Sequence, residues 1–236
     1  MDSAPIIDDT RVGEETSPCA QPIVFPAQRS KLETLKVRIC FFGDSFVNGT
    51  GDDECLGWVG RLCAAERRAG ADLTVYNLGI RRDTSEDILR RWKPEAAVRL
   101  PVDSDGRLAF SFGVNDLAPD DELGRPRISE GASLQNAHDI LSEASAWRPT
   151  LMMGPLPVTS SQARNDQIRS YSEQLSGLCA SLGVPYFDPA PFAAEVYETW
   201  RKEADAGDGI HPNAESYSAL ASAIHQWGPW RRLFES

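Results

Sequence analysis

The sequence predicts an α/β fold in which parallel strands are joined by right-handed helical crossovers, giving a three-layer α/β/α sandwich. Two observations carry this. Five short apolar runs alternate with stretches of helical spacing along the chain, the pattern of successive strand-helix-strand units. In addition, 236 residues at 41% hydrophobic content suffice for one well-filled core and are short for two.

The first run, Leu35-Lys-Val-Arg-Ile-Cys-Phe-Phe42, is β-branched and aromatic and stops at Gly43-Asp44-Ser45, as a buried strand would. Before it, residues 1–33 mix Pro, Ser, Thr, Asp and Glu without apolar periodicity, so they read as a disordered acidic tail. The competing reading has Ile23-Val-Phe25 pinning that tail to the domain, which spans 34–236. Trp58, Leu62, Cys63 and Ala65 mark a helix between Leu56 and Gly70, and Leu73 to Leu78 is the second strand, ended by Gly79. Asp83-Thr-Ser-Glu86 can satisfy the free amides of the next helix, whose apolar face is Ile88, Leu89 and Trp92; Pro94 should kink or end it.

Leu108 to Phe112 is the third strand, closing on Gly113-Val-Asn-Asp116, and Leu134 to Trp147 repeats apolar residues at three and four positions. Thr150 to Met153 is the fourth strand. Ile168 to Leu182, stopped by Gly183, is a further helix, and Val184-Pro-Tyr-Phe187 a short edge strand, because Pro185 cannot donate to a ladder. A loop or short helix from Glu195 to Trp200 leads to Asp208-Gly-Ile-His211, and Tyr217 to Trp227 closes the domain as a helix.

In a parallel sheet every strand's carboxyl end lies on one edge, so Ser45, Gly79 and Gly113 to Asn115 converge there. Ser45 is a candidate nucleophile, and a serine hydroxyl needs a histidine to take its proton and a carboxylate to hold the imidazole's tautomer. Of three histidines, His138 and His225 fall within helices. His211 precedes Pro212, which biases it toward extended backbone, and Asp208 can fold back onto its ring across Gly209. The Ser45 and Gly79 amides and the Asn115 side chain are suitable donors for a developing oxyanion. Arg81 and Arg82 have two open readings: facing the cleft to favour an anionic substrate, or pairing with Asp83, Glu86 or Asp87.

Gly43-Asp44-Ser45, Gly79, Gly113-Val-Asn115-Asp116 and Asp208-Gly-Ile-His211 resemble, in order, the four sequence blocks of the GDSL, or SGNH, esterases and lipases. The resemblance runs from about Val37 to Trp227. It implies a flavodoxin-like sandwich of five parallel strands, Ser45 as nucleophile, His211 as base and Asp208 as its orienting acid. It implies an oxyanion hole of Ser45, Gly79 and Asn115, with Asp44 and Gly113 supporting. One departure is Phe46-Val-Asn48 after the serine, where many members have leucine or isoleucine. The expected activity is hydrolysis of a carboxylic ester or thioester, the alternatives being a carbohydrate O-acetylesterase and a catalytically silent binding protein on the same fold.

Composition narrows the partners. A net charge of −11 argues against a nucleic-acid or anionic-membrane surface, which would need a basic face, and favours a neutral or cationic substrate; the resemblance implies that this partner is a small-molecule ester. No stretch reaches the roughly 18 apolar residues of a membrane span. The acidic N-terminus lacks a secretory signal, and five cysteines without metal-ligand spacing fit a reducing compartment, so a cytoplasmic location and no cofactor or metal are expected.

Overall fold

The structure, a computed structural model, describes residues 36–120, 124–158 and 161–234. The expected tail over 1–33 lies outside them. Five strands, β1 (Lys36–Gly43), β2 (Asp72–Gly79), β3 (Asp105–Ser111), β4 (Thr150–Met153) and β5 (Tyr186–Phe187), form one sheet in the order β2-β1-β3-β4-β5, every pair parallel. The helices are α1 (Ser45–Asn48), α2 (Gly57–Arg68), α3 (Ser85–Arg99), α4 (Glu130–Trp147), α5 (Gln162–Leu182), α6 (Ala190–Ala206), α7 (Ala214–Gln226) and α8 (Gly228–Arg232). This is the five-stranded parallel α/β architecture that the alternating pattern predicts.

β1 is an interior strand, between β2 and β3, and is covered on both faces, which is why its apolar run is continuous rather than alternating. Successive side chains still point to opposite faces. Phe41 packs edge-on against Trp58 of α2, ring centroids 5.6 Å apart, and near Trp230 of α8. Phe42 stacks on Phe110 of β3 at 5.5 Å, and Trp92 of α3 meets Phe110 from the same side.

Several elements depart from expectation. The Gly-rich segment after β1 contains the one-turn helix α1, capped by Asp44 and stopped by Gly49 at φ 87°. Pro94 neither ends nor divides α3, which continues to Arg99: Trp92 and Ala96, on either side of the proline, are fully buried and hold the helix against the sheet despite the missing bond. β3 begins at Asp105, three residues before its apolar run, because Asp105-Gly-Arg107 pair with Val37 to Ile39 of β1. β5 shrinks to two residues at the sheet edge, and the segment expected as a loop or short helix is the 17-residue α6. α5 begins six residues before Ile168, and α8 is a further helix.

The chain passes from β1 to β2 on one flank and returns to β3 on the other. Neighbouring crossovers therefore diverge at the carboxyl end of β1, the place where open α/β sheets leave a crevice.

Candidate active site

Ser45 stands at that point. The sequence folds sharply here because Gly43 has no side chain: a Cβ on it would lie 2.1 Å from the Ser111 carbonyl oxygen and 2.4 Å from Val47 Cγ2. Asp44 then leaves the strand in extended conformation and accepts the Phe46 N–H at 2.9 Å, which starts α1 with Ser45 as its first residue. The Ser45 N–H is one of the orphan donors of a helix start and has no acceptor among the described residues.

His211 reaches Ser45 from the α6–α7 loop. Its Nε2 lies 2.7 Å from Ser45 Oγ and its Nδ1 2.7 Å from Asp208 Oδ2, joining residues 166 positions apart. Asp208 Oδ1 accepts the Ile210 and His211 N–H groups at 3.1 and 3.0 Å, so the acid holds both the backbone turn and the ring. Glu203 of α6 fixes the loop's exit by accepting the Asn213, Glu215 and Ser216 amides at 3.0–3.1 Å, at the positive end of α7. Gly51, at φ 92°, lets the loop lie flat, since a Cβ there would meet His211 Cβ at 2.8 Å and the Pro212 carbonyl at 2.6 Å. Phe46 packs on the His211 ring at 5.0 Å, backed by Trp200 and Tyr217. His138 and His225 are elsewhere, beside Asp139 and Glu66.

The oxyanion candidates are less uniform. Asn115 follows β3 and its Nδ2 donates to the Asp83 carbonyl at 2.9 Å, leaving a second hydrogen on the same nitrogen. Gly113, at φ 118°, supports this turn by passing close to Tyr171. Gly79 ends β2 beside Gly43, but its N–H is taken by Asn77 Oδ1 at 3.0 Å, and its bare Cα abuts the backbone of α1. Glycine is needed there for close approach rather than to present an amide. The next turn, closed by Asp83 N–H to the Ile80 carbonyl at 3.1 Å, puts Arg82 at φ 73°, and the Arg82 N–H has no acceptor among the described residues. A positive φ on arginine carries no sequence signal.

The chain matches the GDSL-like lipase/acylhydrolase family over residues 41–219. It belongs to that family. Membership makes it a carboxylic ester hydrolase. Among solved structures, it is similar to an acetylxylan esterase from Geobacillus stearothermophilus, with 17% identity and a TM-score of 0.67 over 81% of this chain and 95% of that one. It is likewise similar to a lipase/acylhydrolase from Enterococcus faecalis, at 21% identity and TM-score 0.64 over 82% and 96% of the two chains. An α/β hydrolase from the metagenome of Lake Arreo, Spain, matches at 17% identity and TM-score 0.68 over 85% and 97%. No curated protein matches.

Electrostatics in this GDSL-like hydrolase follow from burial and pairing. Burial works to raise the Asp208 carboxyl, but the His211 and Ile210 amides and the His211 ring outweigh it and hold the group down at about 2. Because that carboxylate only accepts, His211 Nδ1 carries the proton and Nε2 is left to accept from Ser45. Burial also lowers the imidazole, Asp208 opposes this, and Arg81 lowers it further. Asp44, buried beside Asp116 and Asp83, is pushed up to about 7, chiefly by burial. Among the described residues, no three His, Cys, Asp or Glu side chains converge as metal ligands, and no helix is long and apolar enough to cross a membrane.

Arg81 pairs with none of Asp83, Glu86 and Asp87. Its Nη2 lies 3.0 Å from Asp208 Oδ2, the same oxygen that holds His211. A cation beside an imidazole disfavours the imidazolium, so Arg81→Gln raises the His211 pKa. The acid limb of kcat/KM is then expected to move to higher pH, by the small amount that so exposed an ion pair allows. A pH-rate profile checks this; an unmoved limb would show that the pair does not persist in solution.

Proposed function

We propose that this chain hydrolyses carboxylic esters through an acyl-enzyme at Ser45, with His211 as general base and acid and Asp208 as its orienting acid. The observation that carries the reading is the unbroken line from Ser45 Oγ through the imidazole to Asp208, with both contacts at 2.7 Å. Ser45 attacks the carbonyl as Nε2 takes its proton, and the imidazolium returns that proton to the leaving alcohol. Water, deprotonated by the same nitrogen, then releases the acid. The depressed imidazole is neutral near pH 7, as a base must be.

The developing oxyanion is stabilised by the Ser45 N–H and the free hydrogen of Asn115 Nδ2. The third donor expected from the sequence, the Gly79 N–H, is engaged by Asn77, so the Arg82 N–H is assigned in its place. Each such donor is typically worth about 100- to 1,000-fold in rate. The likeness to an acetylxylan esterase, at 17% identity, supports the fold and carries no substrate.

A fluorophosphonate probe tests the reading directly. The expected result is stoichiometric labelling at Ser45, located by peptide mass, with loss of p-nitrophenyl acetate hydrolysis in proportion. Labelling at another residue, or none in demonstrably folded protein, removes Ser45 from the chemistry.

A further inference from the structure

Arg91 stands in the second turn of α3, and a helical side chain leans back toward its own N-terminus, here toward the ends of β1 and β2. The guanidinium is mostly buried, with 15% of the side chain exposed, and it reaches three segments at once. Nη2 donates to the Gly43 carbonyl at 3.2 Å and to the Leu78 carbonyl at 2.8 Å, at the carboxyl ends of the two strands. Nε donates to Asp83 Oδ2 at 2.7 Å. Nη1 faces Glu95 Oε1 at 3.4 Å, one helical turn on, and the Phe42 ring centre lies 5.7 Å from the guanidinium carbon.

Each of the three segments leads to one of the proposed oxyanion donors. Gly43 precedes Ser45 by two residues, and its carbonyl also accepts the Ile80 N–H at 3.0 Å. Leu78 leads through Gly79 into the turn that bears Arg82, and the Asp83 N–H closes that turn. The Asp83 carbonyl accepts Asn115 Nδ2 at 2.9 Å, which fixes where the other hydrogen of that amide points. The loops after β1, β2 and β3 diverge where the ladder ends, so strand pairing alone does not set the spacing of the donors. Packing alone would ask for a donor to two strand-end carbonyls. It would not ask that the same group also grip the residue that orients Asn115.

We propose that Arg91 is a positioning residue for the oxyanion hole: one rigid guanidinium sets the spacing of the Ser45 N–H, the Arg82 N–H and the Asn115 amide without touching the substrate. The fork matters because Nε and Nη2 donate in different directions from one plane, whereas an ammonium is a single point on a flexible stem. The proposal deepens the acyl-enzyme reading and rests on it. A displacement of about 1 Å at such a site can cost about 100-fold in rate.

The test follows p-nitrophenyl acetate hydrolysis, and its inhibition by trifluoroacetone, in Arg91→Lys and Arg91→Met, each well below its own Tm. Ser45 Oγ adds to the ketone carbon, its proton passes to His211 and the negative charge rests on the former carbonyl oxygen, so the adduct loads the oxyanion hole with no leaving group. Both variants are expected to lose about 10- to 100-fold in kcat/KM, chiefly in kcat, and to bind trifluoroacetone more weakly by the same factor. The acid limb of the pH-rate profile is expected to stay in place, because none of the Arg91 hydrogen bonds goes to His211 or Asp208. A lower Tm with kcat/KM and ketone affinity unchanged would make Arg91 a strand-end packing residue and overturn the proposal, as would slower turnover at unchanged ketone affinity. Arg91→Lys carries the test if Arg91→Met does not fold, and wild-type rate and affinity in Arg91→Lys overturn the proposal as well. A wild-type chain that hydrolyses the ester yet is not inhibited by trifluoroacetone strikes the acyl-enzyme reading; wild-type inhibition that the Arg91 variants share in full strikes Arg91 alone.

Discussion

Replacing His211 with alanine is expected to lower kcat by about 10⁴- to 10⁶-fold, Ser45→Ala by a similar factor, and the double variant by no more than either alone. The reason is that each residue is useless without the other. Without Nε2 at 2.7 Å, the Ser45 hydroxyl keeps its proton; without Oγ, the imidazole has no proton to move. What is expected to survive in all three variants is binding and the proposed oxyanion donors, which do not depend on the pair. Asp208→Ala is expected to cost less, on the order of 10⁴-fold, because the ring can still sample the productive orientation. Single-turnover rates on p-nitrophenyl acetate check the set. Losses that multiply in the double variant would mean that Ser45 and His211 act independently, and the proposed line of proton transfer would not hold.

The sequence made legible whatever is local or repeated along one element. β1 is readable because an interior strand buried on both faces needs an unbroken apolar run. The Asp208-Gly-Ile-His211 turn was readable because a carboxylate three residues before a histidine closes on it through Gly209. Features that depend on which of several partners wins were not readable. Arg81 had acids near it in sequence, but Asp83 is taken by Arg91, and Glu86 and Asp87 by Arg90, which leaves it for Asp208, 127 positions away. α1 was hidden because its cap and its stop, Asp44 and Gly49, lie so close together that no helical period fits between them. The start of β3 carries no apolar signal because Asp105 and Arg107 pair with each other in place of apolar burial. The amide role that the sequence suggests for Gly79 is pre-empted by Asn77, two residues away, whose Oδ1 accepts the Gly79 N–H.

Asp116 illustrates the same limit and carries the largest expected effect on stability. It is fully buried, and its two oxygens bind different helices: Oδ1 accepts the Ser85 N–H at 2.7 Å at the start of α3, and Oδ2 accepts the Ser133 hydroxyl of α4. Ser133 Oγ in turn lies 2.6 Å from the Tyr171 hydroxyl of α5. Asp116→Ala leaves a buried amide and a buried hydroxyl without their acceptor at a point where three helices meet. It is expected to cost roughly 3–5 kcal/mol, a fall in Tm of about 6–20 °C for a chain of this size. Burial raises the Asp116 pKa against the pull of Ser133 and Ser85, so the folded chain binds a proton that the unfolded chain has released. This group's contribution therefore favours folding in acid and weakens as pH climbs above the ordinary carboxylate range. Asp116→Asn, which cannot ionise, is expected to lose about 1–2 kcal/mol and to flatten that slope. Thermal melts of the three chains across pH measure both effects. A loss below about 1 kcal/mol in Asp116→Ala would mean that water reaches the gap. Loss of kcat with Tm unchanged would place Asp116 in the positioning of Asn115 rather than in the joint between helices.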